Sequence, residues 1–138
     1  MRGISLLIVG ATLAGCTAAA QQQPMRTAKA QKQFEQLIAG KEARPPVSCL
    51  PYYNSNDMVV IDDSTVAFKV ANNRVYVNHM QGGCYNVGGP YALVTKGFGG
   101  TGLCRGDIAQ VVDIANRMTV GSCVFGDFTP YVKPGIKG

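Results

Sequence analysis

The chain has no tryptophan, a single histidine, and Asp and Glu totalling 8 in 138 residues. Each shortage excludes something. A metal site or a catalytic base at His79 needs partners at a recognisable spacing. Asn78, Gln81, Asp62 and Asp63 are the polar residues that could approach it, but no motif ties them together, so His79 reads as an ordinary loop-end histidine. No nucleophile elbow, HExxH, paired-Glu motif or Cys-His signature occurs, and without GK[ST] there is no phosphate-binding P-loop. Gly97-Phe98-Gly99-Gly100-Thr101-Gly102 fits GxGxxG, yet Leu103-Cys104-Arg105-Gly106-Asp107 restarts a turn where a dinucleotide site needs a helix, so it reads as a hairpin loop. No catalytic, cofactor-binding or metal residues are expected, and the chain is not expected to be an enzyme.

The N-terminus is more informative. Arg2 gives a positive start, and Ile4–Leu13 is apolar or small. Such a stretch is too short to cross a hydrocarbon core of roughly 30 Å, but it suits the apolar region of a signal peptide. It ends in Leu13-Ala14-Gly15-Cys16, which resembles the bacterial lipobox. By that resemblance residues 1–15 are a cleaved leader, and Cys16 becomes the acylated first residue, holding the protein to a membrane without a spanning helix. Thr17, where an Asp would favour inner-membrane retention, suggests the periplasmic face of the outer membrane.

The net charge of +5 is unevenly placed. Residues 17–44 hold Arg26, Lys29, Lys32, Lys41 and Arg44 against Glu35 and Glu42. Residues 45–138 hold seven Lys/Arg against six Asp, a difference of +1. A nearly neutral domain argues against a nucleic-acid partner, because phosphate binding needs clustered cations. The basicity beside the lipid reads as a solvated tether.

Three regions follow: residues 1–15 as leader, 16–44 as lipidated Cys and flexible, partly helical tether, and 45–138 as the folded domain. That leaves about 94 residues to fold, too few for two cores or a full dinucleotide fold. Within the tether, residues 27–39 favour a short, weakly docking helix. Phe34, Leu37 and Ile38 lie on one face, Thr27 stands at the cap and Gly40 at the end, with Pro45-Pro46 as the stop. Beyond Pro46, β-branched and aromatic runs alternate with glycine. Strands are expected at Val47–Leu50, Met58–Ile61, Thr65–Val70, Arg74–Asn78, Tyr91–Thr95, Asp107–Asp113, Val120–Phe125 and Phe128–Val132. Val66, Phe68 and Val70 should face one way, Val75 and Val77 inward, with Asn72-Asn73 in a turn that needs positive φ. Residues 108, 111, 112 and 115 also fit helical spacing, but the Val111-Val112 pair favours a strand. The fold class is all-β, a small antiparallel barrel or sandwich of about six to seven short strands.

Cys49, Cys84, Cys104 and Cys123 are an even set in an exported chain, and two disulfides are the natural use. Their spacings contain no CxxC, which disfavours zinc. Cys49 at the domain's entry and Cys104 after a Gly-rich loop both suit a clamp, which leaves Cys84 for Cys123. Cys49 with Cys123 is the rival. Arg105-Gly106-Asp107 reads as a turn whose Asp bonds nearby amides. Val124–Tyr131 packs three aromatics around Gly126-Asp127 and reads as core rather than binding patch.

Pro46-Val47-Ser48-Cys49, Arg74–Asn78, Leu103–Asp107, Val112-Asp113 and Gly126–Tyr131, in that order, are similar to a family of small uncharacterised lipoproteins of Gram-negative bacteria, a domain of unknown function. The resemblance implies export, disulfides and a β-rich domain, and brings no activity with it. The resulting expectation is a structural or interaction module of the cell envelope. Its partners are the membrane, through Cys16, and an envelope protein. The alternative is a specific binder or inhibitor, such as a lysozyme-inhibitor-like or small-ligand-binding lipoprotein. A nearly neutral domain offers a basic lysozyme little complementary charge.

Overall fold

The alternating run Thr65–Val70, the Asn72-Asn73 pair and the return Arg74–Asn78 form the central hairpin of the fold. The structure, a computed structural model, describes residues 26–50, 57–82, 84, 87, 90–96 and 102–135. The leader, Cys16, the tether up to residue 25 and residues 97–101 of the Gly-rich loop lie outside them. In chain order the elements are α1 (Ala28–Ile38), β1 (Glu42–Ala43), β2 (Cys49–Leu50), β3 (Met58–Asp62), β4 (Thr65–Ala71), β5 (Arg74–His79), β6 (Tyr91–Lys96), β7 (Leu103–Cys104), β8 (Ile108–Asp113), β9 (Thr119–Val124) and β10 (Phe128–Val132). All the ladders are antiparallel.

The strands make a 5-stranded sheet, β1-β10-β5-β4-β3, a 3-stranded sheet, β6-β8-β9, and a small pair, β2-β7. The result is an all-β sandwich, with no closed barrel. One core lies between the sheets and joins Val66, Phe68 and Tyr76 to Leu50, Leu103, Ala109, Val111, Phe125 and Phe128. Phe125 and Phe128 of the Val124–Tyr131 run enter it, whereas Tyr131 packs on the opposite face of the large sheet. Phe125 and Phe128 stack at 6.1 Å between ring centroids, and Phe68 leans on both at 6.4 and 6.0 Å.

The other face of the large sheet is also covered. Ala67, Val75 and Val77 form a second core with Ile61 and Ala30, against which Phe34, Leu37 and Ile38 pack. Val75 and Val77 are therefore inward, but on the side opposite Val66 and Phe68. Val70, expected to align with Val66 and Phe68, is exposed at a register shift between Lys69 and Ala71. That irregularity replaces the expected turn chemistry. Arg117 is the non-glycine residue with positive φ among those described, so Asn72 and Asn73 turn without it.

The segment read as tether is thus folded from Arg26 onward. Thr27 caps α1, accepting from the Ala30 amide at 3.2 Å, and Gly40, at φ 66°, ends it. Phe34 meets Tyr131 edge-on at 6.3 Å. A fully buried large apolar side chain contributes roughly 1.5–3 kcal/mol, so three half-buried ones supply about 3 kcal/mol of docking. The chain then follows the edge of β10. Glu42 and Ala43 pair with Val132 and Tyr131, the Arg44 amide donates to Pro130 O at 2.8 Å, and Val47 bridges Phe128. Pro45-Pro46 interrupts this ladder at an edge, where a missing N–H is tolerated.

Candidate functional site

Four places could carry chemistry: the cysteines, the surroundings of His79, the Gly-Asp turns, and an open groove.

Cys49 and Cys104 face each other directly in the β2–β7 register and form a disulfide, with Cα atoms 4.0 Å apart. Cys84 and Cys123 form the second, with Cα atoms 5.3 Å apart. The Cys84–Cys123 bond is buried in the inter-sheet core, where Met80 Sδ lies 3.5 and 3.7 Å from its sulfurs, a packing contact since neither sulfur has a proton to donate. Cys49 is exposed. The first bond ties the two strands of the small pair to each other, and the second fastens the loop after β5 to β9 of the sandwich.

His79 ends β5 beside the start of β4. Arg26, at the approach to α1, reaches across the sheet edge. Its Nε donates to Asp62 Oδ2 at 2.8 Å, its Nη2 donates to Thr65 Oγ1 at 3.1 Å, and its guanidinium lies 4.2 Å from the Phe34 ring centroid. Thr65 Oγ1 is 3.3 Å from His79 Nδ1. Burial, and then the Arg26 charge, push the His79 pKa below its ordinary value, against a weaker pull from Asp62. Burial works to raise the Asp62 carboxyl, but bonds from the Ser64 amide and hydroxyl, Thr65 and Arg26 outweigh it and hold the group low. Of the polar residues flagged in the sequence, Asp62 joins this cluster, whereas Thr65 and Arg26 carried no recognisable signal. Thr65 is buried and so closed to a substrate. The geometry is that of a latch, clipping the start of α1 to the sheet.

The two Gly-Asp motifs are turn chemistry. In Arg105-Gly106-Asp107, Gly106 takes φ 93°, Asp107 is buried and accepts from the Cys104 amide at 2.7 Å, and Arg105 pairs with Asp127 at 3.1 Å. In the second, Asn78 is fully buried. Its Nδ2 donates to Gly126 O at 2.8 Å and to Asp127 O at 3.3 Å, and its Oδ1 accepts from the Gly126 amide at 3.1 Å. A Cβ at position 126 would lie 2.6 Å from His79 O, so only glycine allows this approach. Asn78 thereby locks the turn between β9 and β10.

An open groove of ≈ 450 Å³ lies between the end of α1 and the β4–β5 hairpin, lined by Leu37, Lys41, Asp57, Lys69, Val70 and Val75 among others. Lys41 is occupied, its Nζ donating to Leu37 O at 2.8 Å. Among the described residues no three His, Cys, Asp or Glu side chains gather as a metal site, and no buried side-chain N or O lacks a partner.

The fold and its staples define a disulfide-linked β-sandwich with a docked helix. The model of a family of unknown function, DUF6491, matches residues 1–126, and the chain belongs to that family. No curated protein and no solved structure matches the chain.

Proposed function

We propose that the protein is a lipid-anchored component of the cell envelope, held at the periplasmic face of the outer membrane through acylated Cys16, with a sandwich that serves as an interaction module rather than a catalyst. The observation that carries the reading is the run Ile4–Leu13 closing on Leu13-Ala14-Gly15-Cys16. Two further facts support it. The family match begins at residue 1, so the leader and Cys16 belong to the stretch the family shares. Two disulfides suit an oxidising compartment. The ordered polar clusters hold turns and the helix together, which favours binding over turnover, and the nearly neutral domain disfavours nucleic acid as the partner.

Labelling with a radioactive or clickable fatty acid tests the anchor. The native chain is expected to take up label and float with membranes, and Cys16→Ser to lose the label and accumulate as precursor or soluble protein. A Cys16→Ser chain that still matures and floats in unchanged amount would contradict the proposal.

A further inference from the structure

The two disulfides are built differently. Cys84–Cys123 joins a loop to β9 with its Cα atoms 5.3 Å apart, an ordinary separation, and is sealed in the core. Cys49–Cys104 joins residues that face each other across the β2–β7 ladder. The Arg105 amide donates to Ser48 O at 2.7 Å, so Ser48 and Arg105 form the hydrogen-bonded pair next along that ladder. The Cys104 amide turns away from Cys49 and donates to Asp107 Oδ2 at 2.7 Å. Cys49 and Cys104 therefore occupy a non-hydrogen-bonded position, where facing Cα atoms stand about 4.5 Å apart. Most disulfides settle at about 5.5–6 Å. At 4.0 Å the ladder, rather than the bond, sets the spacing. That compression subtracts from the loop-closure contribution of the cross-link.

The ladder does not need the bond to stay in place. Leu50 and Leu103, the next facing pair, are 0 % exposed in the core. On the other side of the cysteines, Val47 and Phe128 exchange both backbone bonds at 2.9 Å, and the Gly106 amide donates to Phe125 O at 2.9 Å. Each cysteine is thus flanked by anchored residues, so the two sulfurs stay together when the bond opens, and the bond can close again. Access is one-sided. Cys49 is exposed and Cys104 half-buried, so a thiolate from outside meets Cys49 first. Exposed or strained disulfides are the ones that exchange readily with thiols.

We propose that Cys49–Cys104 is a redox-active disulfide that exchanges with the dithiol of a partner protein, with Cys49 as the attacked sulfur. A partner thiol, its proton lost to water, bonds as thiolate to Cys49 Sγ. The Cys49–Cys104 bond breaks, and Cys104 leaves as a thiolate that takes a proton from water. The partner's second thiol gives its proton to water and attacks the partner sulfur of the mixed disulfide. Cys49 is released and protonated in turn. The chain gains two electrons and two protons, and the partner dithiol becomes a disulfide. A partner in the disulfide form runs the same steps in reverse. Cys84–Cys123 takes no part.

The native sequence serves for the test. The full chain, expressed with its leader and purified without reductant, is incubated with a thioredoxin whose resolving cysteine is replaced by serine. That probe halts exchange at the mixed disulfide, and alkylation caps the thiol set free. Peptide mapping is expected to find the probe on Cys49 and the cap on Cys104. A probe on Cys104, on Cys84 or Cys123, or on none of the four would overturn the proposal. In glutathione mixtures brought to equilibrium, Cys49–Cys104 is expected to be half-reduced at a ratio of squared thiol to disulfide concentration about 100-fold below that for Cys84–Cys123. The amide NMR spectrum of the sandwich is expected to persist when that bond alone is open. Equal midpoints, or loss of the fold on opening Cys49–Cys104, would overturn it as well.

Discussion

Replacing Asn78 tests whether the polar clamp is as structural as its geometry says. Its amide makes three bonds to the turn at Gly126-Asp127, of which the two to Gly126 are buried, and Asn78 itself is 0 % exposed. Asn78→Ala strands the Gly126 amide and at least one carbonyl. A buried group left unsatisfied costs about 1–3 kcal/mol, and two such groups give about 3 kcal/mol in all. For a domain of this size that lowers Tm by about 10–15 °C. Asn78→Asp sharpens the argument. The new carboxyl can accept from the Gly126 amide but faces two carbonyl oxygens, so its ionised form is disfavoured and its folded pKa is raised above the unfolded value of about 4. A group shifted that way contributes fully below the unfolded pKa and loses stability as pH rises through the folded one. Urea unfolding followed by far-UV circular dichroism should therefore show Asn78→Asp closest to the native chain near pH 3–4 and furthest from it at pH 7. An Asn78→Ala cost under about 0.5 kcal/mol, or an Asn78→Asp deficit that does not vary with pH, would refute the reasoning.

Three more expectations follow from the same structure. Mild reductant should open the exposed Cys49–Cys104 bond before the buried Cys84–Cys123 bond, as read by alkylation and peptide mapping, and loss of either should cost about 4 kcal/mol on the chain-entropy account. The His79 imidazole should titrate by NMR below its ordinary range. Because the folded pKa is depressed, the unfolded chain protonates first, so stability should fall as pH drops from about 6.5 toward the folded pKa; His79→Gln should flatten that slope, and an unchanged slope would assign it elsewhere. Arg26→Ala removes the Asp62 pair and the Phe34 contact at a cost of about 2 kcal/mol. Hydrogen exchange should show α1 amides losing protection while those of β4 and β5 keep theirs, and uniform protection would disprove the latch.

How much of this could be read in the sequence varied with the range of the interaction concerned. The β4–β5 hairpin, the helix cap at Thr27, its end at Gly40 and the Arg105-Gly106-Asp107 turn are set by neighbours in the chain, although Asn72 and Asn73 turn without the positive φ their residue type suggests. The second core was hidden. The run Val75-Tyr76-Val77 is apolar without alternation, the mark of a strand covered on both faces, but only the docked helix gives that pattern its meaning. The two-residue strands β1 and β7 are too short for any periodicity. The Asn78 clamp joins residues 48 apart, and its one visible sign is a polar residue in an apolar strand, which does not name its partner. The Arg26 latch was missed for a similar reason, since an arginine in an Ala/Gln-rich stretch looks like solvated charge.

The most direct test of the central claim is the intact mass of the mature protein extracted from membranes, with tandem mass spectrometry of its N-terminal peptide. A chain that begins at Cys16 and carries acyl chains on that residue is predicted. A chain that keeps Met1–Gly15, or that begins elsewhere with an unmodified Cys16, would contradict it.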